Sequence, residues 1–241
     1  MKGTTGVPVR LQYTKLGKIR WIGHRDVARA LERAFRVAQL PLAFSEGFSP
    51  RPRVSFGLAL STGHESVAEY VDLVLAEPVD LAGVAAQLTD ALPDGLAVVG
   101  AAELVDRAPA LQEAVTSVEW LVSVAAPDGS AVDAARLREQ VAATLALSEL
   151  PVQKKRKGRE LIEDIRPVIR RVDVRDDTPV NVEMELATQP RSAKPGEVLA
   201  AVGGLSEVRA RRTHQWIERD GARREPLDAD TRPHVLEARA S

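Results

Sequence analysis

The chain has 241 residues, 44% of them hydrophobic and only 4% aromatic, no cysteine, and a formal net charge of −1. That length suffices for two domains, each with its own core of Val, Leu and Ala. The lack of cysteine excludes disulfides, thiolate metal sites, a cysteine nucleophile and a self-held iron–sulfur cluster. With no apolar signal run and no eighteen-residue apolar stretch free of charge, a soluble cytoplasmic protein is expected.

The near-zero total hides a segregation of charge. Residues 1–60 carry 11 Lys or Arg against 3 Asp or Glu, residues 61–150 carry 3 against 15, and residues 151–241 carry 19 against 16. A basic working face and an acidic back would produce this asymmetry, whereas a uniformly solvated surface does not require it.

In chain order, Val9, Leu11 and Tyr13 alternate with Arg10 and Gln12, which predicts a half-buried strand. Val27, Leu31, Ala34, Phe35 and Ala38 then recur at helical spacing and predict a helix over 24–39, with Gly23 as N-cap, Asp26 in the first turn and Pro41 as stop. At about 100° per residue, Arg25, Arg29, Arg33 and Arg36 fall within roughly 80° of one another, opposite the apolar stripe. Only Glu32 interrupts that strip, so an anionic partner is a reasonable expectation. The alternative is an ordinary solvated face.

Residues 42–44 predict the start of a second strand. Gly47, Pro50 and Pro52 then stiffen a loop that presents Phe48, Arg51 and Arg53. Strands are predicted over 54–60 and 68–76, a helix over 80–92 capped by Asp80, and a strand over 96–101. This order is that of the ferredoxin-like βαββαβ unit. After a linker at 109–116 it is expected to repeat: strand 118–124, helix 133–147, a basic segment, a hairpin of 165–174 and 180–186, helix 195–202 and strand 208–217. The expected fold is therefore α+β, with two tandem ferredoxin-like domains at 1–108 and 117–220 and a charged tail at 221–241 without regular structure.

The stretch Trp21, His24, Asp26, Arg29, Arg33, Ala34, Arg36 is followed by Leu40-Pro41, Ser45-Glu46-Gly47-Phe48, Pro50-Arg51-Pro52 and Glu69-Tyr70-Val71-Asp72. It resembles the radical-SAM-linked protein family, a domain found alone or after a cobalamin-binding radical SAM domain. Gly23 stands where that pattern has Ser, and a weaker likeness extends through Asp164-Ile165-Arg166-Pro167. The resemblance implies a partner of a radical SAM enzyme or a substrate-binding accessory. Without cysteine the chain cannot be that enzyme itself.

Three functions fit these residues. The first is RNA binding, with tRNA or rRNA as ligand. Arg20, His24, Arg25, Arg29, Arg33, Arg36, Phe48, Arg51 and Arg53 would contact it in one half. Lys154, Lys155, Arg156, Lys157, Arg159, Arg211 and Arg212 would contact it in the other, with Arg209 and His214 nearby. The second is metal-free RNA cleavage with His24 as general base, although a histidine near an N-cap is more often structural. The third is docking to an RNA-processing or radical SAM enzyme through Trp21 and Phe48. No metal or cofactor is expected, because His24, His64, His214 and His234 lack ligand spacing. Glu69 and Asp72, on opposite faces of one strand, are expected to pair with arginines of the first helix or loop.

Overall fold

The computed structural model describes residues 6–105, 108–156 and 159–232. It is a mixed α/β fold that divides into two compact units, Met1–Thr62, Ser66–Ala114 and Ile217–Ser241 forming one, Gly63–Glu65 and Val115–Trp216 the other.

In the first unit, β1 (Val7–Lys15) leads through a 3-10 turn (Gly17–Trp21) into α1 (His24–Val37). Then come β2 (Val54–Phe56), β3 (Glu65–Leu75), α2 (Leu81–Ala91) and β4 (Leu96–Glu103). Both β4 and β3 pair antiparallel with β1, and β2 lies along Val71–Leu73 of β3, giving the order β4-β1-β3-β2. Val9, Leu11 and Tyr13 of β1 and Val71, Leu73 and Leu75 of β3 face one side, where they pack with Val27, Leu31, Ala34 and Phe35 of α1 and with Val84 and Leu88 of α2. These are the apolar positions of the period-two and helical patterns. Asp80 caps α2 by accepting from the Ala82 amide at 3.0 Å. Gly95, at φ +93°, takes the turn into β4, where a Cβ would strike the Leu16 carbonyl.

Four segments of this unit depart from expectation. Strand β2 ends at Phe56 rather than residue 60, and residues 42–44 contribute only the bridges Leu42 to Leu75 and Phe44 to Pro52. The expected linker holds a short helix, α3 (Leu111–Ala114), whose Leu111 and Ala114 are buried. Gln112 of the same helix donates from its side chain to the Phe56 carbonyl. The expected structureless tail is corrected over 222–232. There the unit closes with a strand (Ala222–Arg224) paired to Ile217–Arg219, after which Thr231 bridges Leu104 and Arg232 meets Glu103 at 2.5 Å. Polar composition concealed these contacts because they are made by backbone groups and ion pairs. Residues 233–241 lie outside the described residues.

In the second unit, β5 (Ser117–Ala125) is followed by α4 (Ala134–Leu145) and a hairpin of β6 (Pro151–Arg156) and β7 (Arg159–Asp164). Next are β8 (Ile169–Arg175), β9 (Asn181–Ala187), α5 (Pro195–Gly203) and β10 (Ser206–Arg219), whose last three residues count with the first unit. The strand order is β10-β5-β9-β8, antiparallel throughout. The Ala222–Arg224 strand is β11. The β6–β7 hairpin occupies the stretch for which composition predicts only a basic segment. Its hairpin is anchored by Asp164, which accepts from the Leu150 amide at 2.6 Å and the Arg166 amide at 2.9 Å. These bonds hold the Asp164 carboxyl below its ordinary range.

Candidate nucleic-acid interface

The approach to α1 is fixed by a buried cation. Lys15 is 2% exposed, and its Nζ donates to the carbonyls of Arg20 at 3.1 Å and Ile22 at 2.9 Å. Burial lowers its pKa, opposed in part by the charge of Glu69. The turn it pins leaves Trp21 63% exposed, with the Arg20 guanidinium 5.1 Å from the indole centroid. Glu69 is itself buried in β3.

The amphipathic pattern of α1 sends Arg25, Arg29, Arg33 and Arg36 into solvent. Arg29 meets Asp26 at 3.2 Å, with both side chains more than half exposed. Among the described residues, the guanidinium groups of Arg25, Arg33, Arg36, Arg51 and Arg53 make no ion pair or hydrogen bond. Exposed His24 sets its ring edge-on to Phe56 at 5.2 Å and 84°.

The loop after α1 is held in shape at its base. Ser45 N donates to the Arg51 carbonyl at 2.8 Å, Arg51 N to Ser45 Oγ at 3.0 Å, and Arg53 N to the Ala43 carbonyl at 2.9 Å. Phe48 stands at the tip, fully exposed, and Phe44 is 56% exposed at the base. An exposed phenylalanine on a stiffened loop presents a π-face for stacking at little further entropic cost.

The second unit treats its arginines differently. Glu65, fully buried, accepts from Arg209 Nε at 2.9 Å and Nη2 at 2.8 Å, and from Arg211 Nε at 3.2 Å and Nη2 at 2.9 Å. The hydrogen bond to Glu65 raises the Arg209 pKa. Arg212, expected on the RNA surface, is 4% exposed and lies 5.0 Å over the Trp120 ring. It cannot reach a phosphate without leaving the core. His64 meets Glu207 at 2.8 Å, and His214 meets Glu119 at 3.1 Å while stacking on Trp216. The side chains of Lys154, Lys155, Arg156 and Arg159, together with Lys157 and His234, lie outside the described residues.

Asp72 departs from its expected partner. It binds Arg10 of β1, Nε to Oδ1 at 2.7 Å and Nη2 to Oδ2 at 2.8 Å, not an arginine of α1 or the loop. Arg10 is completely buried and gives a third bond to the Pro226 carbonyl at 2.9 Å. Sequence reasoning passed over Arg10 and Glu65. The available signal for Arg10 was a charge at the non-core phase of β1 facing an acid at the same phase of β3. Beside the acid lies a cleft of about 470 Å³ in the first unit, lined by Arg53, Ser55, Asp72 and apolar residues of β3, 104–105 and 108–110.

No curated protein matches this chain. Among solved structures it is similar to a chain of a Cbf5-Nop10-Gar1 complex, with TM-score 0.50 and 10% identity over 86% of this chain and 48% of that one. A chain of the archaeal box H/ACA sRNP Nop10-Cbf5 complex gives TM-score 0.46 at 9% identity, over 86% and 47%. One from an H/ACA RNP bound to a substrate RNA containing 2'-deoxyuridine gives 0.44 at 8%, over 89% and 47%. This chain thus spans about half the length of each of these three solved chains, and the likeness to the first is one of fold alone. No described helix is long and apolar enough to cross a membrane. The profile of one family matches residues 9–195, and the chain accordingly belongs to that family, described as an uncharacterized protein conserved in bacteria (DUF2344).

Proposed function

We propose that this chain is an RNA-binding accessory protein that uses the outer face of α1 and the Phe48 loop to hold tRNA or rRNA for a modifying or processing enzyme. The observation that carries this reading is the set of arginines on α1 and the following loop that have no protein partner among the described residues, beside exposed Trp21 and Phe48. Guanidinium groups pair with phosphates, and the aromatic rings suit unstacked bases. We also read both units as ferredoxin-like. Support comes from the strand orders β4-β1-β3-β2 and β10-β5-β9-β8, each with helices after its first and third strands, the second carrying the β6–β7 hairpin as an insertion. The resemblance to the radical-SAM-linked family names one class of enzyme such an accessory would serve.

The test is retention of bulk tRNA and rRNA fragments at low salt by wild type and by Arg29→Glu/Arg33→Glu. Retention by the wild type, lost in the variant without a change in thermal unfolding, is expected. Absence of retention by the wild type, or equal retention by both, overturns the reading. His24 contacts Phe56 by its ring edge, which favours a structural role. Cleavage of labelled RNA by the wild type that disappears in His24→Ala would instead establish the nuclease alternative.

A further inference from the structure

The cleft of the first unit is built from a row of side chains across the sheet. Val54 and Phe56 pack toward α1, so Arg53 and Ser55 belong to the opposite strand face. There Ser55 is the register partner of Asp72, and Asp72 that of Arg10. The cleft volume, about 470 Å³, is that of a small-molecule site, and Leu104, Val105 and Pro109 supply an apolar wall.

Charge selects the ligand. The two bonds from buried Arg10 fix the Asp72 carboxylate in orientation and offset its charge. Arg53 has no counter-ion among the described residues, so the described lining of the cleft leaves one positive charge uncompensated. A carboxylate has about four lone-pair positions, of which Arg10 occupies two, and the Asp72 side chain keeps 19% exposure. The cleft therefore offers a guanidinium for an anionic group, a fixed acceptor for N–H donors, and an apolar wall for a flat body. A nucleotide combines these three features.

We propose that this cleft binds one nucleoside monophosphate unit, its phosphate on Arg53 and the donor edge of its base on Asp72. Guanine is preferred, because its N1–H and N2–H donors lie side by side. Uracil presents one N–H between two carbonyl oxygens, which the carboxylate repels. The unit is either a free nucleotide or an unstacked residue of an RNA strand. The proposal shares Arg53 with the RNA reading above but does not require α1 to bind RNA.

Titration of the full chain with GMP and UMP, and with guanosine-containing and all-uridine oligoribonucleotides, tests it. Wild type should bind GMP at least about tenfold more tightly than UMP, and Arg53→Ala should weaken GMP by about tenfold, the scale of a charge-assisted hydrogen bond. Ala108→Phe, which fills the cleft, should remove GMP binding while thermal unfolding confirms the fold. Removal of Asp72 is avoided because it would strand buried Arg10. Competition between the guanosine oligonucleotide and GMP supports the proposal with RNA as source, and binding of GMP alone supports it with the free nucleotide as source. Equal affinity for GMP and UMP, no GMP binding by folded wild type, or binding indifferent to both variants overturns it. Retention of RNA that depends on Arg29 and Arg33, without GMP binding, would overturn the cleft assignment and leave the RNA reading standing.

Discussion

The arginines of α1 and those of β10 look alike in sequence, yet the structure uses them in opposite ways. Arg209 and Arg211 converge on a carboxylate with no solvent exposure, and Arg212 lies buried over Trp120. Arg25, Arg33 and Arg36 project from a helix whose other side is fully committed to the core, and they meet no acid among the described residues. The first group neutralises a buried charge. The second leaves repulsion on the surface that an anionic partner would relieve. Basic composition alone does not separate these cases, because the deciding residue, Glu65, lies far from β10 along the chain.

The largest expected effect comes from reversing two arginines of the α1 stripe. Arg29→Glu/Arg33→Glu should lower RNA affinity by about a hundredfold at low salt. It should also reduce the slope of log affinity against log salt by about 1.5, since each phosphate contact contributes about 0.7 to 0.9. Unchanged affinity would make the stripe a solvated face and erase the contrast with β10. The converse substitution is Glu65→Gln, which leaves Arg209 and Arg211 facing a neutral amide. A stability loss of about 2 kcal/mol is expected in denaturant titration, discounted because both arginines are partly exposed. RNA affinity should not change, and a loss of binding at unchanged stability would move the β10 arginines into the interface.

Phe48→Ala should weaken RNA binding by about tenfold, the scale of one base–aromatic stack, with no change in unfolding because the ring touches little of the protein. The smallest effect concerns Asp164, whose folded pKa is depressed by the Leu150 and Arg166 amides. The stability it contributes is present above its unfolded value near 3.8 and is lost as pH falls through the lower folded value. Asp164→Asn should flatten the acid limb of the stability curve there, and an unchanged limb would remove Asp164 as its cause.

Periodicity recovered the elements that bury an apolar stripe. The helix expected over 24–39 is α1, the strand carrying Val9, Leu11 and Tyr13 lies where alternation indicated, and the strand expected over 118–124 is β5. It failed where strands are charged on both faces, as in β6 and β7, because Lys, Arg and Glu carry little strand propensity and the pairing is made by the backbone. The outward direction of the α1 arginines was legible, since helix geometry alone settles it. The burial of Arg212 and the union of Arg10 with Asp72 were not, because each depends on which distant strand lies alongside.

The bond from Arg10 to the Pro226 carbonyl spans most of the polypeptide. During synthesis, β1 leaves the ribosome with its guanidinium already in place, and the whole of the Val115–Trp216 unit is made before the acceptor emerges. The first unit is therefore begun early and finished late. A fragment ending at Ala114 would carry all four strands of its β4-β1-β3-β2 order and the Asp72 carboxylate, yet lack the carbonyl that takes the third bond of buried Arg10.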